Sequence, residues 1–201
     1  MNCDRGLLLK CLQRPATWPR LAKIVAAKLL GLRTVCIRAD GVTLEAGMGL
    51  GRGLWCAVSG VGYEPELAIW LARLEPGNVV VDIGANIGAY AIRAALAVGH
   101  AGCVVAFEPH PETAERLRRN TAMNRLSNVI VVEAAASDRD DELVLEEGNR
   151  QSSARVIEGE GDFRVRVRAT TVDTIVRDLD VRRLDWIKMD IEGAEPRALK
   201  G

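Results

Sequence analysis

A regular alternation of short apolar segments with helical segments, beginning at Pro76, most constrains the fold. The apolar segments have the length of strands and are rich in Val, Ile and Ala; they occupy 79–84, 103–109, 129–136 and 184–191. Helical periodicity predicts helices over 85–98, 111–124 and 171–179. Apolar strands that alternate with helices form βαβ units, whose parallel sheet is buried on both faces. The sequence therefore predicts an α/β protein with a mostly parallel, Rossmann-like sheet and helices on both faces.

The first 75 residues lack this alternation, and we predict an N-terminal α+β extension over 1–75 and a main domain over 76–201. In order, the extension is predicted to hold an amphipathic helix, a hairpin around Asp40-Gly41, a glycine-rich loop and a second helix: 18–30, 33–44, 47–62 and 64–74. The amphipathic pattern favours packing on the chain's own domain over anchoring to a membrane surface. Within the main domain, 142–145 and 163–168 are expected to pair as an insertion.

Composition excludes several classes of protein. Lys+Arg and Asp+Glu are balanced at 27 each, which argues against the strong positive field of a general nucleic-acid binder. No apolar run reaches the roughly 18 residues of a membrane span. The five cysteines are scattered and form no CxxC pair, which predicts reduced thiols and a cytoplasmic protein.

The first strand of the main domain leads into a glycine-containing turn, Asp82–Gly88. In a doubly wound sheet, ligands bind beyond the carboxyl ends of the strands, near this turn. Gly84 permits a tight turn, and Gly88 lets the following helix approach the strand. A dinucleotide site prefers G-x-G-x-x-G, but Asn86 fills the space of its middle glycine and Asp82 disfavours a pyrophosphate. The turn therefore favours binding of S-adenosylmethionine, with its cationic amino group and sulfonium, over binding of NAD. The alternative is that the turn is needed only for packing and binds no ligand.

Two further strand ends carry candidate ligand-binding groups. Glu108 lies at the tip of the second strand, where a carboxylate can accept hydrogen bonds from both hydroxyls of a ribose, although a carboxylate that merely ends a strand is also common. The third strand ends in Ala136, Ser137 and Asp138, whose small residues would leave room for adenine, but a plain strand end fits nearly as well. Asn120 and Asn124, in the helix between these strands, are interpreted as capping or surface groups.

The fourth strand ends in an acidic loop from Asp190 to Glu195. Pro196 suits the first turn of a helix, so the loop is expected at the ligand-binding edge. Carboxylates that only stabilise a helix N-terminus are the alternative. That alternative does not explain Lys188 and Asp190, because charges in an otherwise apolar strand are costly to bury without partners. The loop is therefore predicted to be functional.

Together these residues resemble the FkbM family of S-adenosylmethionine-dependent methyltransferases. The matching segments occur in family order over about residues 60–201: Tyr63–Glu66, Val79–Tyr90, Val104–Pro111, Asn120 with Asn124, Ala136–Asp138, Thr171–Asp173 and Ile187–Glu195. The resemblance implies a class I methyltransferase sheet and O-methylation, commonly of hydroxyls on sugars of surface polysaccharides, glycolipids or natural products. The expected acceptor is a glycan or small molecule, and not a nucleic acid.

The resemblance also assigns site residues. It implies donor binding by Asp82, Gly84, Asn86, Gly88 and Glu108, and a transfer site near Asp190 and Glu192. To the predicted donor site we add Glu64, Ala85, Pro109, Ala136, Ser137 and Asp138. A sugar hydroxyl is a weak nucleophile, so Asp190, Glu192 or both are predicted to be catalytic, either as a base or by holding a divalent cation. No complete ligand set is visible, so no residue is assigned to a metal.

Two alternatives to an active methyltransferase remain. The chain ends at Gly201, whereas the family's fold continues with a helix and further strands; we therefore expect a C-terminally truncated domain, with the last strands missing. Such a chain could be an inactive donor-binding fragment. An NAD-dependent oxidoreductase is the other alternative, but neither a glycine at Asn86 nor a Tyr-x-x-x-Lys motif is present. Nucleic-acid methylation is less favoured, because no Asn-Pro-Pro-Tyr-type loop follows the fourth strand.

Overall fold

The structure is a computed structural model, and it describes residues 14–48, 58, 65–147, 154–156, 164–191 and 193–201. Within these ranges the helices are α1 Trp18–Leu29, α2 Pro65–Leu71, α3 Ala91–Val98, α4 Pro111–Met123, α5 Val172–Asp178 and α6 Glu195–Ala198. The strands are β1 Thr34–Ala39, β2 Val42–Gly47, β3 Val79–Ile83, β4 Cys103–Phe107, β5 Val129–Val132, β6 Ala135–Ala136, β7 Asp141–Glu147, β8 Ala154–Val156, β9 Arg164–Thr170 and β10 Trp186–Met189.

The central sheet has four parallel strands in the order β10-β3-β4-β5. Val80 of β3 packs with α3 and α4 on one face, and Val81 and Ile83 pack with α5 and α6 on the other. This alternation explains why the strand is apolar throughout, since both of its faces are buried. The predicted α/β fold, with a mostly parallel sheet and helices on both faces, is confirmed.

A second sheet, in the order β6-β9-β7-β8, contains the predicted insertion. β7 and β9 pair antiparallel, as the alternation over 142–145 and 163–168 predicted. The third strand is not continuous, however. Val129–Val132 joins the central sheet, whereas Ala135–Ala136 pairs with β9. The break follows from a tight turn in which the amide of Ala134 donates to the carbonyl of Val132 at 3.0 Å.

The helix predicted from residue 85 begins only at Ala91. The backbone φ angles are +80° at Gly84, +54° at Asn86 and +89° at Gly88, and a right-handed helix does not admit positive φ. The predicted hairpin is confirmed, with φ of +53° at Asp40 and +79° at Gly41, as a two-residue I′ turn requires. In the described residues, no helix is both long and apolar enough to cross a membrane.

Two asparagines join this hairpin to α4. Asn120 accepts from the amide of Glu45 at 2.7 Å and donates to the carbonyls of Glu45 and Ile87 at 3.2 and 2.7 Å. Asn124 accepts from the amide of Thr43 and donates to its carbonyl, at 2.9 and 2.7 Å. The interpretation of Asn120 as a capping or surface group is wrong, because its side chain is fully buried. Asn124 does stand at the helix C-cap.

Candidate functional site

Three of the predicted site residues meet at the carboxyl edge of the central sheet. Gly84, Glu108 and Asp190 each follow directly on a strand, β3, β4 and β10 respectively, and these strands are neighbours. Backbone hydrogen bonds continue across this edge, from the amide of Gly84 to Phe107 O and from the amide of Asp190 to Ile83 O, both at 3.0 Å. The strand order reverses beside β3, which is the position where ligands bind in open α/β sheets.

The glycine turn, Gly84–Gly88, follows β3 and needs its glycines for close packing. A Cβ on Gly84, at φ +80°, would overlap the carbonyl oxygen of Asp190. A Cβ on Gly88 would overlap Leu117 of α4. Ala85 is buried, and its amide donates to Phe107 O at 2.9 Å. The turn is therefore fixed by its neighbours, and it holds the backbone between β3 and α3 in one conformation.

Glu108 is tied to this turn by hydrogen bonds. Its Oε2 accepts from the amide of Asn86 at 2.9 Å, and its Oε1 accepts from the amide of His110 at 3.0 Å. Burial raises the pKa of the Glu108 carboxyl to about 7, against the lowering effect of the two amides. Glu108 therefore links β4, the glycine turn and the start of α4, and its charge changes near neutral pH. Pro109 lies between these contacts and is half-buried.

Asp82 is paired with Lys188. The two residues are in register on β3 and β10, and Lys188 Nζ lies 2.9 Å from Asp82 Oδ1. The side chain of Asp82 is 0% exposed and that of Lys188 is 8% exposed. The ammonium also donates to the carbonyl of Gly84 at 3.3 Å and lies 5.8 Å from the ring centroid of Tyr90. Asp82 Oδ2 accepts no hydrogen bond from the residues that the structure describes.

Ser137 and Asp138 are engaged by the protein itself. Ser137 is fully buried, and its amide donates to Thr170 O at 2.9 Å. Asp138 Oδ1 lies 2.9 Å from Nε of Arg197, and this guanidinium lowers the pKa of the Asp138 carboxyl. Ala136, in β6, is buried. A contact between these three residues and a donor stays a prediction.

The acidic loop is described in part. Asp190 is exposed directly after β10, next to the glycine turn. Glu195 Oε1 accepts from the amide of Ile191 at 3.1 Å, and backbone hydrogen bonds lower the pKa of this carboxyl. The predicted site residues Glu64 and Glu192 lie outside the described residues. In the described part of the chain, no group of three or more His, Cys, Asp or Glu side chains is placed to hold a metal ion.

Sequence reasoning missed two residues that shape this site. The sequence marks Lys188 only as a charge that needs a partner, and the structure identifies that partner as Asp82. Asn120 binds Ile87 O inside the glycine turn as well as the hairpin. A signal was available for both, because a Lys in an apolar strand and an Asn pair four residues apart in a helix are unusual when nothing binds them.

A family model described as the methyltransferase FkbM domain matches residues 82–201. The probable cobalt-precorrin-6B C(15)-methyltransferase (decarboxylating) of Sulfurisphaera tokodaii is 35% identical over 72 residues, which are 36% of this chain and 38% of that protein. Hexuronic acid methyltransferase AglP of Haloferax volcanii is 26% identical over 141 residues, covering 70% of this chain and 56% of that protein. The tRNA (adenine(57)-N(1)/adenine(58)-N(1))-methyltransferase TrmI of Methanocaldococcus jannaschii is 31% identical over 112 residues, which are 54% of this chain and 38% of that protein. The chain spans between 38% and 56% of the length of these relatives.

Proposed function

We propose a function from one premise: the chain belongs to the methyltransferase FkbM domain family, whose model matches more than half of it. The proposed function is S-adenosylmethionine-dependent O-methylation of a hydroxyl on a sugar, in a polysaccharide, glycolipid or natural product. The observation that carries the proposal is the meeting of the glycine turn, Glu108 and Asp190 at one sheet edge, inside the matched residues. The similarity to a hexuronic acid methyltransferase supports a sugar as the acceptor.

The buried polar groups at this edge fit a nucleoside donor that carries an amino group. Asp82 Oδ2 has no hydrogen bond from the described residues, and a buried acceptor left in this state is accounted for by a ligand or a water. We propose that Glu108 accepts hydrogen bonds from the ribose and that the turn from Gly84 to Gly88 approaches the donor through its backbone. Asp82 itself is held by Lys188, so its larger contribution is to fix the turn.

Methyl transfer to a hydroxyl also requires the removal of a proton. When bound, the donor supplies an electrophilic methyl group; the acceptor oxygen forms the new C–O bond as the C–S bond breaks. We propose that Asp190 accepts the hydroxyl proton, because this exposed residue directly follows β10 and its backbone carbonyl lies against Gly84 of the turn that would hold the donor. Glu192 is proposed as a second acidic group of the same loop, and a divalent cation bound there stays an alternative to direct base catalysis.

The organisation and location of the chain are proposed on the same basis. Residues 1–75 are proposed as an extension and 76–201 as the donor-binding domain. A cytoplasmic location is supported by Cys36 and Cys103, both of which are free thiols.

Calorimetry with S-adenosylhomocysteine and NADH tests the donor. We expect binding of S-adenosylhomocysteine and none of NADH, and the reverse result would contradict the proposed function. Transfer of a radiolabelled methyl group from S-adenosylmethionine then tests the acceptor, with hexuronic-acid oligosaccharides, neutral oligosaccharides and tRNA in separate arms. The tRNA arm is included because the chain is similar to a tRNA methyltransferase. If only tRNA is labelled, the acceptor is a nucleic acid and the proposed sugar acceptor is wrong.

A further inference from the structure

Helix α1 packs against the rest of the protein through one narrow face. Ala27 is buried, and Leu21 and Ile24 are partly buried against the cluster that contains the hairpin residues Ile37 and Leu44. These three positions of α1 follow the i, i+3, i+6 spacing of a single helix face. The opposite side of α1 is exposed.

This outer face is apolar. Trp18, Ala22, Val25, Ala26 and Leu29 are all exposed, and the spacing 18-22-25-29 places them along one stripe. The exposed fraction is 56% for Trp18, 58% for Val25 and 83% for Leu29. Leu30 and Leu32, directly after the helix, are also exposed. A group of large apolar side chains on a surface marks an interaction site.

The charged residues of the segment that contains α1 are all basic. On a helical projection, Lys23 and Lys28 lie on opposite sides of the stripe, and both are exposed. The segment 14–33 also contains Arg14, Arg20 and Arg33, and it has no Asp or Glu. Lys+Arg and Asp+Glu are equal over the whole chain, at 27 each, so the positive charge of this segment is balanced by an excess of acidic residues in the rest of the chain.

We propose that the outer face of α1 docks on the surface of an anionic lipid bilayer. An apolar stripe with Trp and Leu, bordered by lysines, is the arrangement of helices that lie in the plane of the membrane interface. The apolar residues enter the boundary between head groups and acyl chains, while the lysines remain at the anionic head groups. With 12 residues, α1 is too short to span a bilayer, so the helix lies on the surface. This docking is independent of the proposed methyl transfer.

Vesicle flotation of the full chain tests the docking. Vesicles of phosphatidylcholine alone are compared with vesicles in which about a third of the lipid is phosphatidylglycerol. We expect binding to the anionic vesicles to be stronger by more than about tenfold, and to weaken as salt is raised from 0.05 to 0.5 M. No binding, or equal binding to both kinds of vesicle, would overturn the proposal.

Variants separate the apolar and the basic contributions. V25S/L29S and K23E/K28E should each reduce binding to anionic vesicles by about tenfold or more. The matched controls are I69S/L96S, two exposed apolar residues on other helices, and R177E/R182E, two exposed arginines elsewhere; both should bind as the original chain does. Circular dichroism and thermal unfolding verify that each variant is folded. Equal losses in the controls would contradict docking through α1.

Two other occupants of the face give distinct results. If a second copy covers it, sedimentation will show a dimer that V25S/L29S dissociates, and vesicle binding will be absent. If residues 1–13 cover it, vesicle binding will appear only after those residues are removed. Either result would overturn docking of the full chain on a bilayer.

Discussion

Lys188 and Asp82 form an ion pair, 2.9 Å between Nζ and Oδ1, on neighbouring parallel strands that end at the candidate donor site. Both side chains are buried, and the ammonium also donates to the carbonyl of Gly84, the first residue of the glycine turn. The pair therefore neutralises a carboxylate that the low-dielectric interior would otherwise disfavour, and it fixes the turn to β10. The two strands and the loop that follows β3 act as one unit through this contact.

Removing the lysine alone should be costly. K188M leaves Asp82 charged and unpaired in the interior, and we expect the free energy of unfolding to fall by about 3–5 kcal/mol. K188M/D82N removes both charges and should recover part of this loss. Urea denaturation followed by circular dichroism measures both. R183A, which removes an exposed arginine from its pair with Asp185, is the matched control and should cost about 1 kcal/mol or less. Equal costs for K188M and R183A would show that the buried pair has no special role.

Gly84 should tolerate no side chain. G84A places a Cβ against the backbone carbonyl of Asp190 at a φ of +80°, so neither atom can move without disturbing β10. We expect a loss of roughly 3–5 kcal/mol from strain and overlap together. G41A is the control, because Gly41 has a φ of +79° but nothing within 4 Å of an added Cβ; it should lose only about 1–2 kcal/mol. Similar losses in the two variants would show that the clash is relieved and that the backbone conformation alone determines the cost.

Much of this architecture was predictable because its causes are local. Apolar strand segments and helical periodicity gave the alternation, and Asp40-Gly41 marked a hairpin turn that the structure has. The predicted start of α3 was six residues too early. Ala85 favours a helix, but Asn86 and Gly88 adopt positive φ, so the helix begins only at Ala91. The break in the third strand depends on pairing of Ala135–Ala136 with β9, a contact between residues far apart in sequence.

The site was predictable to a similar extent and for similar reasons. Parallel strands present their carboxyl ends at one edge, so a turn glycine, Glu108 and Asp190 could be placed together from the sequence. The partner of Asp82 could not be identified, because Lys188 lies 106 positions later and reaches it only once β10 joins β3. The burial of Asn120 likewise depends on how the hairpin docks on α4.

The buried carboxyl of Glu108 predicts a pH-dependent stability. Its pKa in the folded chain, about 7, is raised above the ordinary value of 4.5, so the native state holds the proton more tightly than the unfolded state. The stabilisation is fully present below pH 4.5 and is lost as the pH rises through about 7. The expected loss from this group is roughly 3 kcal/mol.

Urea denaturation between pH 4 and 8 measures this dependence. The matched variant is E108Q, which cannot titrate and should lack this component of the slope. A slope that is the same in the original chain and in E108Q would exclude Glu108 as its source.

Asn120 should contribute more to stability than Asn124. N120A leaves the buried carbonyl of Ile87 and the partly buried carbonyl and amide of Glu45 without this partner, and we expect a loss of about 2–4 kcal/mol. Asn124 makes the equivalent bonds to Thr43 from a half-buried position, where water can replace the side chain, so N124A should lose about 1 kcal/mol. Urea denaturation gives both values. Faster hydrogen exchange at the amide of Glu45 in N120A would locate the effect in the hairpin, and equal stability of the two variants would contradict it.

Asp190 is expected to act on the acceptor and not on the donor. Asp190 is an exposed residue at the end of β10, while the donor would be held by the turn from Gly84 and by Glu108. D190A should therefore lower methyl transfer to the acceptor found in the radiolabel assay by about 10²–10⁴-fold, the usual contribution of a general base. Binding of S-adenosylhomocysteine, measured by calorimetry, should change by less than about threefold.

Two further variants define what this result means. D190N keeps the shape of the side chain without its basicity, so it should be as inactive as D190A if the carboxylate takes the proton. D178A removes an exposed aspartate at the end of α5, outside the acidic loop, and should leave transfer unchanged. If D190A turns over normally, Asp190 has no part in the mechanism. If it loses donor binding together with transfer, the Asp190 side chain helps to hold the donor site and does not act on the acceptor alone.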